Sequence, residues 1–207
     1  MLRPVTFIVF LFVSLSAPGS DKIILVLGDS LSAGHGIAPE AGWVFQLRSR
    51  LSMEGYSYKV INASISGETT HGANSRLHGI LKEIKPDITI VELGGNDGLR
   101  GIPLAEIRDN LHEIVEKISA SGSSVLLVEM LLPPNYGAAY IEKFVAVYKQ
   151  LGSQDNVILA KFIMDDIADN PDLMQSDGIH PKAEAQVMML DNLWPDLYPL
   201  LEKDVDQ

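Results

Sequence analysis

"KIILVL" (residues 22–27) runs directly into "GDSLSAGHG" (28–36), and that junction decides the fold. Five aliphatic residues follow one another without alternation, the pattern of a strand covered on both faces within a parallel sheet. Similar runs recur at "YKVI" (58–61), "ITIVEL" (88–93), "SVLLVEM" (124–130) and "NVILA" (156–160). Between them, 42–53, 70–84, 104–120 and 138–151 carry apolar residues at three- and four-residue spacing, and a last helix is predicted from about Lys182 to Leu201. Pro86, Gly122 and Gly152 punctuate the returns from helix to strand. Strand and helix alternating in this way read as a doubly wound α/β fold: a single-domain, three-layer α/β/α sandwich around a five-stranded parallel sheet.

In such a sheet the loops at the carboxyl ends of the strands share one rim, where ligands bind. Here they are "GDSLSAGHG", "NASISGETT" (62–70), "GGNDGLRG" (94–101), "LLPPNYG" (131–137) and "MQSDGIHP" (174–181). Glycine beside Ser, Asn, Asp or His is more than a chain reversal needs. Ser30 stands where a nucleophile would, although a serine at a helix start also serves as an N-cap. The G-x-S-x-G elbow of α/β-hydrolases is absent from the chain.

A base is available in "DGIHP" (177–181). With Asp177 three residues before His180, the carboxylate can hold Nδ1 and leave Nε2 to take a serine proton. The same spacing also suits a local Asx turn with His180 in solvent. Candidate donors to a developing oxyanion are the backbone N–H groups of Ser30 and Gly67 and the side-chain amide of Asn96. Turn geometry alone would account for Gly67 or Asn96 singly. Their joint appearance on one rim points to acyl transfer.

"GDSLS", "NASISGETT", "GGND" and "DGIHP" resemble, in order and spacing, the blocks of the SGNH (GDSL-type) hydrolases, and the likeness runs from Lys22 to about Leu201. Within that family the chain is most similar to the exported thioesterase, lysophospholipase and arylesterase type. The resemblance implies a flavodoxin-like sheet, a Ser30–His180–Asp177 triad and an oxyanion hole of Ser30, Gly67 and Asn96. It also implies a serine esterase that hydrolyses acyl esters and thioesters, with no metal and no cofactor. Leu99, Ile102, Leu131, Leu132 and Tyr136, in "GLRGIP" (98–103) and "LLPPNYG", are apolar side chains that suit either the lining of an acyl groove or the capping of the sheet. Gly98 and Gly101 would give Leu99 a mobile mount.

Composition narrows the alternatives. A chain of 207 residues suffices for one domain with a full core. A net charge of -11, with nothing resembling a basic stripe, argues against a nucleic-acid binder. Having no cysteine, the chain lacks thiol nucleophiles and thiolate metal sites. Arg3, the apolar "VTFIVFLFVSL" (5–15) and "SAPGS" (16–20) form the three parts of a signal peptide over 1–20, cleaved at about 16–20, leaving a hydrolase domain over 21–207. The mature protein is expected to be periplasmic or secreted and monomeric, without stable membrane insertion, its partner a small-molecule or lipid ester. Two other readings stand beside this one: a carbohydrate acetylesterase of the same family, and a non-catalytic envelope-binding protein on the same fold.

Asp29 and Asp97 are expected to brace their loops by hydrogen bonds. His71, His78 and His112 fall on helical patterns and read as surface or packing residues. The acidic run "DDIADNPD" (165–172) lacks the spacing of a calcium loop and reads as solvated surface.

Overall fold

The computed structural model describes residues 22–201; the leader and its cleavage site lie outside the described residues. Five strands, β1 (Lys22–Gly28), β2 (Tyr58–Asn62), β3 (Ile88–Glu92), β4 (Ser124–Val128) and β5 (Val157–Ala160), form one sheet in the order β2-β1-β3-β4-β5. Every pairing is parallel. β1 and β3 are central and buried on both faces, so Ile24 to Leu27 and Ile88 to Glu92 are nearly inaccessible to water. That explains why their sequences show no alternation.

Helix α1 (Ser30–Ala33) is a single turn. The full-length helices are α2 (Trp43–Met53), α3 (Thr70–Ile84), α5 (Leu104–Ala120), α6 (Ala138–Leu151) and α7 (Gln186–Leu197), with the short α4 (Gly95–Leu99) preceding α5. α2 packs with α7, while α3, α5 and α6 pack in a row, giving the helical layers of the sandwich. Trp43, Phe144 and Tyr148 are the bulkiest fully buried side chains. Among the described residues no helix is long and apolar enough to cross a membrane.

The predicted strands and long helices are found within a few residues of their expected ends. The last helix differs. It is divided into a 3₁₀ turn (Ala183–Ala185), α7 and a second 3₁₀ turn (Tyr198–Leu200), with Pro195 inside α7 and Pro199 in the turn that ends it. Two rim loops also contain helical turns too short to give a periodicity. α1 forms because the Asp29 side chain accepts from Leu31 N at 3.1 Å, capping it. α4 starts after Gly94, whose φ of +106° suits glycine and where a Cβ would collide with the Tyr148 hydroxyl.

The strand order reverses between β1 and β3. Chains leaving these two strands diverge to opposite faces and open a crevice at their carboxyl ends. Ser30 follows β1 and Asn96 follows β3, so the fold puts both beside that crevice.

Candidate active site

Ser30 is the first residue of α1 and is half-buried. Its Oγ lies 2.9 Å from His180 Nε2, and His180 Nδ1 lies 2.7 Å from Asp177 Oδ2. The Asp177 Oδ1 atom accepts from the backbone N–H groups of Ile179 (2.9 Å) and His180 (3.0 Å). One carboxylate therefore holds both the backbone and the ring of the histidine. Hydrogen bonds from His180, first from its side chain and then from its backbone, together with Ile179 N–H, hold the Asp177 carboxyl well below the usual carboxylate range. An anion at Asp177 in this position is able to hold a proton on Nδ1 of His180. Both geometries weighed from sequence coexist: Asp177 makes the local turn and also pairs with the ring.

The loop carrying His180 is closed by an antiparallel bridge between Met174 and Pro181, by Gln175 N–H to His180 O (2.7 Å) and by Lys182 N–H to Leu173 O (2.7 Å). The Gln175 side chain extends the bracing: Nε2 donates to His35 O at 2.8 Å and to Pro181 O at 3.0 Å. It thereby ties the Ser30 loop to the His180 loop. The His35 ring also rests against the His180 ring, with centroids 4.3 Å apart and planes tilted by 40°.

Asn96, in α4, donates from Nδ2 to Asp29 Oδ2 at 2.9 Å. An amide nitrogen carries two hydrogens, so one remains for another acceptor. Among the described residues neither the Ser30 N–H nor the Gly67 N–H has a protein acceptor. Gly67 adopts φ +78°, a left-handed conformation that favours glycine. Its loop is tied to β1 by Ile65 N–H to Gly28 O (3.1 Å), and to the Asn96 segment by Arg100 Nη2 to Gly67 O (3.0 Å). Asp97 accepts from Thr70 N and Thr70 Oγ1, locking α4 to the start of α3. Asp29 and Asp97 do brace their loops as expected.

The five apolar residues assigned to an acyl groove have different surroundings. Leu131 is exposed, whereas Leu99 and Ile102 lie partly buried against the core. Tyr136 donates its hydroxyl to Leu99 O at 2.8 Å. Leu132 is a core side chain, 6% exposed, packed beneath Gly98 so closely that a Cβ there would sit 2.6 Å from Leu132 Cδ2. The mobile mount expected at Gly98–Pro103 is correspondingly tied down by the Tyr136 and Arg100 contacts and by Ile102 N–H to Asp97 O (3.0 Å). A recess of about 530 Å³, lined by Ala168, Asp169, Pro171, Met174, Gln175 and Ser176 among others, includes none of Ser30, Asn96 and His180. Chemistry, not depth, marks the site.

Gln175, Arg100, Thr70 and Glu92 went unassigned in the sequence. Glu92 alone had left a signal there, as a charge ending an otherwise apolar strand. It is fully buried, and its Oε2 accepts from Ser32 Oγ at 2.7 Å.

The chain is similar to known proteins along most of its length. Residues 26–187 match the model of the GDSL-like Lipase/Acylhydrolase family. The chain is 46% identical over 189 residues to the Esterase TesA of Pseudomonas aeruginosa, covering 91% of this chain and 94% of that protein. It is 37% identical over 198 residues to the Thioesterase 1/protease 1/lysophospholipase L1 of Escherichia coli K12, covering 96% and 93% respectively. A crystal structure of TesA superposes with a TM-score of 0.85 at 47% identity, covering 87% of this chain and all of that one. The chain thus belongs to the GDSL-like lipase/acylhydrolase family and is a carboxylic-ester hydrolase on a single α/β domain.

Proposed function

We propose that the protein hydrolyses acyl esters and thioesters, lysophospholipids among them, through an acyl-enzyme on Ser30. The Ser30 Oγ attacks the carbonyl carbon while His180 Nε2 takes the hydroxyl proton. The resulting oxyanion is held by the Ser30 and Gly67 N–H groups and the free hydrogen of the Asn96 amide. His180 then gives its proton to the departing alkoxide or thiolate. Water, deprotonated by the same histidine, attacks the acyl-enzyme and releases the acid. Asp177 keeps Nδ1 protonated throughout and stabilises the imidazolium.

The observation that carries this reading is the unbroken chain from Ser30 Oγ to His180 (2.9 Å) to Asp177 (2.7 Å), built from loops 150 residues apart in sequence. The relatives named for esterase, thioesterase and lysophospholipase activity favour acyl substrates. Leu131 and Leu99 supply apolar surface beside the crevice for the acyl chain. A signal peptide over 1–20 would place the mature enzyme in the periplasm or outside the cell, which makes lipid esters a more accessible substrate than cytosolic acyl thioesters.

The test is labelling with an alkyl fluorophosphonate, followed by hydrolysis of nitrophenyl butyrate and octanoate. Wild type should be labelled on Ser30 and lose activity in proportion, and a folded Ser30→Ala should be neither labelled nor active. Hydrolysis by a folded Ser30→Ala at a rate near wild type would move the nucleophile elsewhere.

A further inference from the structure

The hydrolytic machinery described above leaves one buried acid without a task. Glu92 ends β3 opposite Gly28 of β1, so its side chain lies under the Ser30 loop, next to Asp29. Both carboxyls are buried: Glu92 is 0% and Asp29 3% exposed. Their partners differ. Asp29 accepts from Leu31 N on Oδ1 and from Asn96 Nδ2 on Oδ2. Glu92 Oε2 accepts from Ser32 Oγ at 2.7 Å, with Asp29 N a long 3.4 Å away. Glu92 Oε1 is buried and has no donor at all.

An ionised carboxylate oxygen with no donor, beside a second carboxylate and out of water, is a costly arrangement. The titratable groups that act on the pair offer one cation at most: His180 acts on Asp29, and Tyr148 in α6, which faces both carboxyls, carries no positive charge. An oxygen that finds no donor is satisfied if it is itself the donor, and the Asp29 carboxylate is within hydrogen-bond reach as acceptor.

We propose that Glu92 is a positioning residue: a carboxylic acid whose Oε1 hydroxyl donates to the Asp29 carboxylate, the same carboxylate that caps the Ser30 turn and holds the Asn96 amide. The proton turns two repelling acids into a brace and leaves Asp29 as the anion that its N–H partners favour. Burial pushes both carboxyls up, Asp29 to about 6 and Glu92 well above the usual range, where the Asp29 charge pushes it further. Glycine at 28 leaves the room: a Cβ there would stand 2.7 Å from Ser32 Oγ and 2.9 Å from Glu92 Oε2. Loss of the proton at alkaline pH would set two anions against each other beneath Ser30 and release the Asn96 amide. This inference rests on the Ser30 and Asn96 roles proposed above for its effect on rate, but not for its statement about the proton.

Two variants test it. In Glu92→Gln the side-chain amide supplies a permanent N–H to Asp29 and an oxygen to Ser32. Its kcat should stay within about threefold of wild type, without the alkaline fall expected of wild type. Glu92→Leu removes the donor and should lower kcat by about tenfold or more while KM changes little, because the braced groups act on the transition state. Infrared difference spectra read the proton without reference to activity. At neutral pH wild type should show the C=O band of a buried protonated carboxyl, absent from Glu92→Gln. If that band does not differ, Glu92 is ionised and the proposal is wrong. It is equally overturned if Glu92→Gln keeps the wild-type alkaline fall. Should Glu92→Leu fail to fold, the Gln variant and the infrared band decide alone. Failure of fluorophosphonate to label Ser30, with the band present and Glu92-dependent, would remove the nucleophile reading and leave the proton on Glu92.

Discussion

Thr70 gives the Asp97 carboxylate both its N–H, at 3.0 Å, and its hydroxyl, at 2.6 Å. The pair is fully buried and joins the segment holding Gly67 to the segment holding Asn96. Thr70→Val keeps the shape and the N–H but removes the hydroxyl from a buried anion. Hydrogen bonds to charged groups are worth about 1.5–3 kcal/mol, so denaturant unfolding should show a loss in that range. Activity should fall mainly in kcat, because the spacing between oxyanion donors is what changes. Unfolding indistinguishable from wild type would show that Asp97 is satisfied without Thr70.

Asn96→Ala separates stabilisation of the oxyanion from generation of the nucleophile. Negative charge reaches the carbonyl oxygen only as the tetrahedral intermediate forms, so a donor aimed there acts on the barrier more than on binding. Loss of one such donor typically lowers kcat by about 10²–10³, with KM changing far less. Slow labelling of Ser30 by fluorophosphonate should persist, since Ser30, His180 and Asp177 are untouched. The variant also takes a donor from Asp29 Oδ2, so its melting temperature belongs in the same experiment. A kcat within about threefold of wild type would take Asn96 out of the oxyanion hole.

Strands and long helices were legible in the sequence because their signals are long. "IILVL" is uninterrupted for the reason that β1 is covered on both faces, and the three- and four-residue spacing in 104–120 is the buried face of α5. Ser30, Asp177 and His180 were legible because they stand together on rim loops with Gly67 and Asn96, not because any one of them is telling alone; the structure brings the first three into one hydrogen-bonded chain. What escaped depends on tertiary context. α1 and α4 are one turn each, set by a cap and by one glycine. Leu131 and Leu132 are identical in sequence and differ only in which way the chain leaves β4. Glu92 is buried with its carboxylate on Ser32 of α1, a contact 60 positions away in sequence, and Gln175 bonds to His35 O, 140 positions earlier in the chain.

Asp177→Asn tests the anion behind the histidine. Asparagine can present its N–H to Nδ1 and so favour the tautomer with the proton on Nε2, which cannot accept from serine. A fall in kcat of about 10⁴ is the expected scale for that change, with the overall geometry kept. The variant also has a signature in stability. The Asp177 carboxyl is held below its ordinary value in the folded protein, so its contribution is present above the unfolded value and is lost as pH falls through the folded one. Melting temperature followed from neutral pH down through the carboxylate range should therefore drop less steeply in Asp177→Asn than in wild type. Parallel curves would mean that Asp177 has the same affinity for protons folded and unfolded.

Leu131 and Leu132 provide a paired test of where the acyl chain binds. Leu131 is 39% exposed and Leu132 6%, so truncating each to alanine changes a different thing. Leu132 fills the space beneath Gly98 and touches the core near Phe144, and its loss should leave a cavity. Leu→Ala changes of that kind lower stability by about 2–5 kcal/mol. Acyl selectivity should move little in Leu132→Ala, measured under conditions where the variant is folded. Leu131→Ala removes apolar surface from the rim and leaves the core intact, so its melting temperature should stay close to wild type. A chain long enough to reach Leu131 loses contact there, while an acetyl group is too short to have made it. The ratio of kcat/KM for nitrophenyl octanoate to that for nitrophenyl acetate should therefore fall in Leu131→Ala, by about four- to fifteenfold if burial of one to two methylenes is lost at roughly 0.8 kcal/mol each. An unchanged ratio in Leu131→Ala would place the acyl chain away from this loop, and a changed ratio in Leu132→Ala alone would mean that the substrate opens the core to reach it.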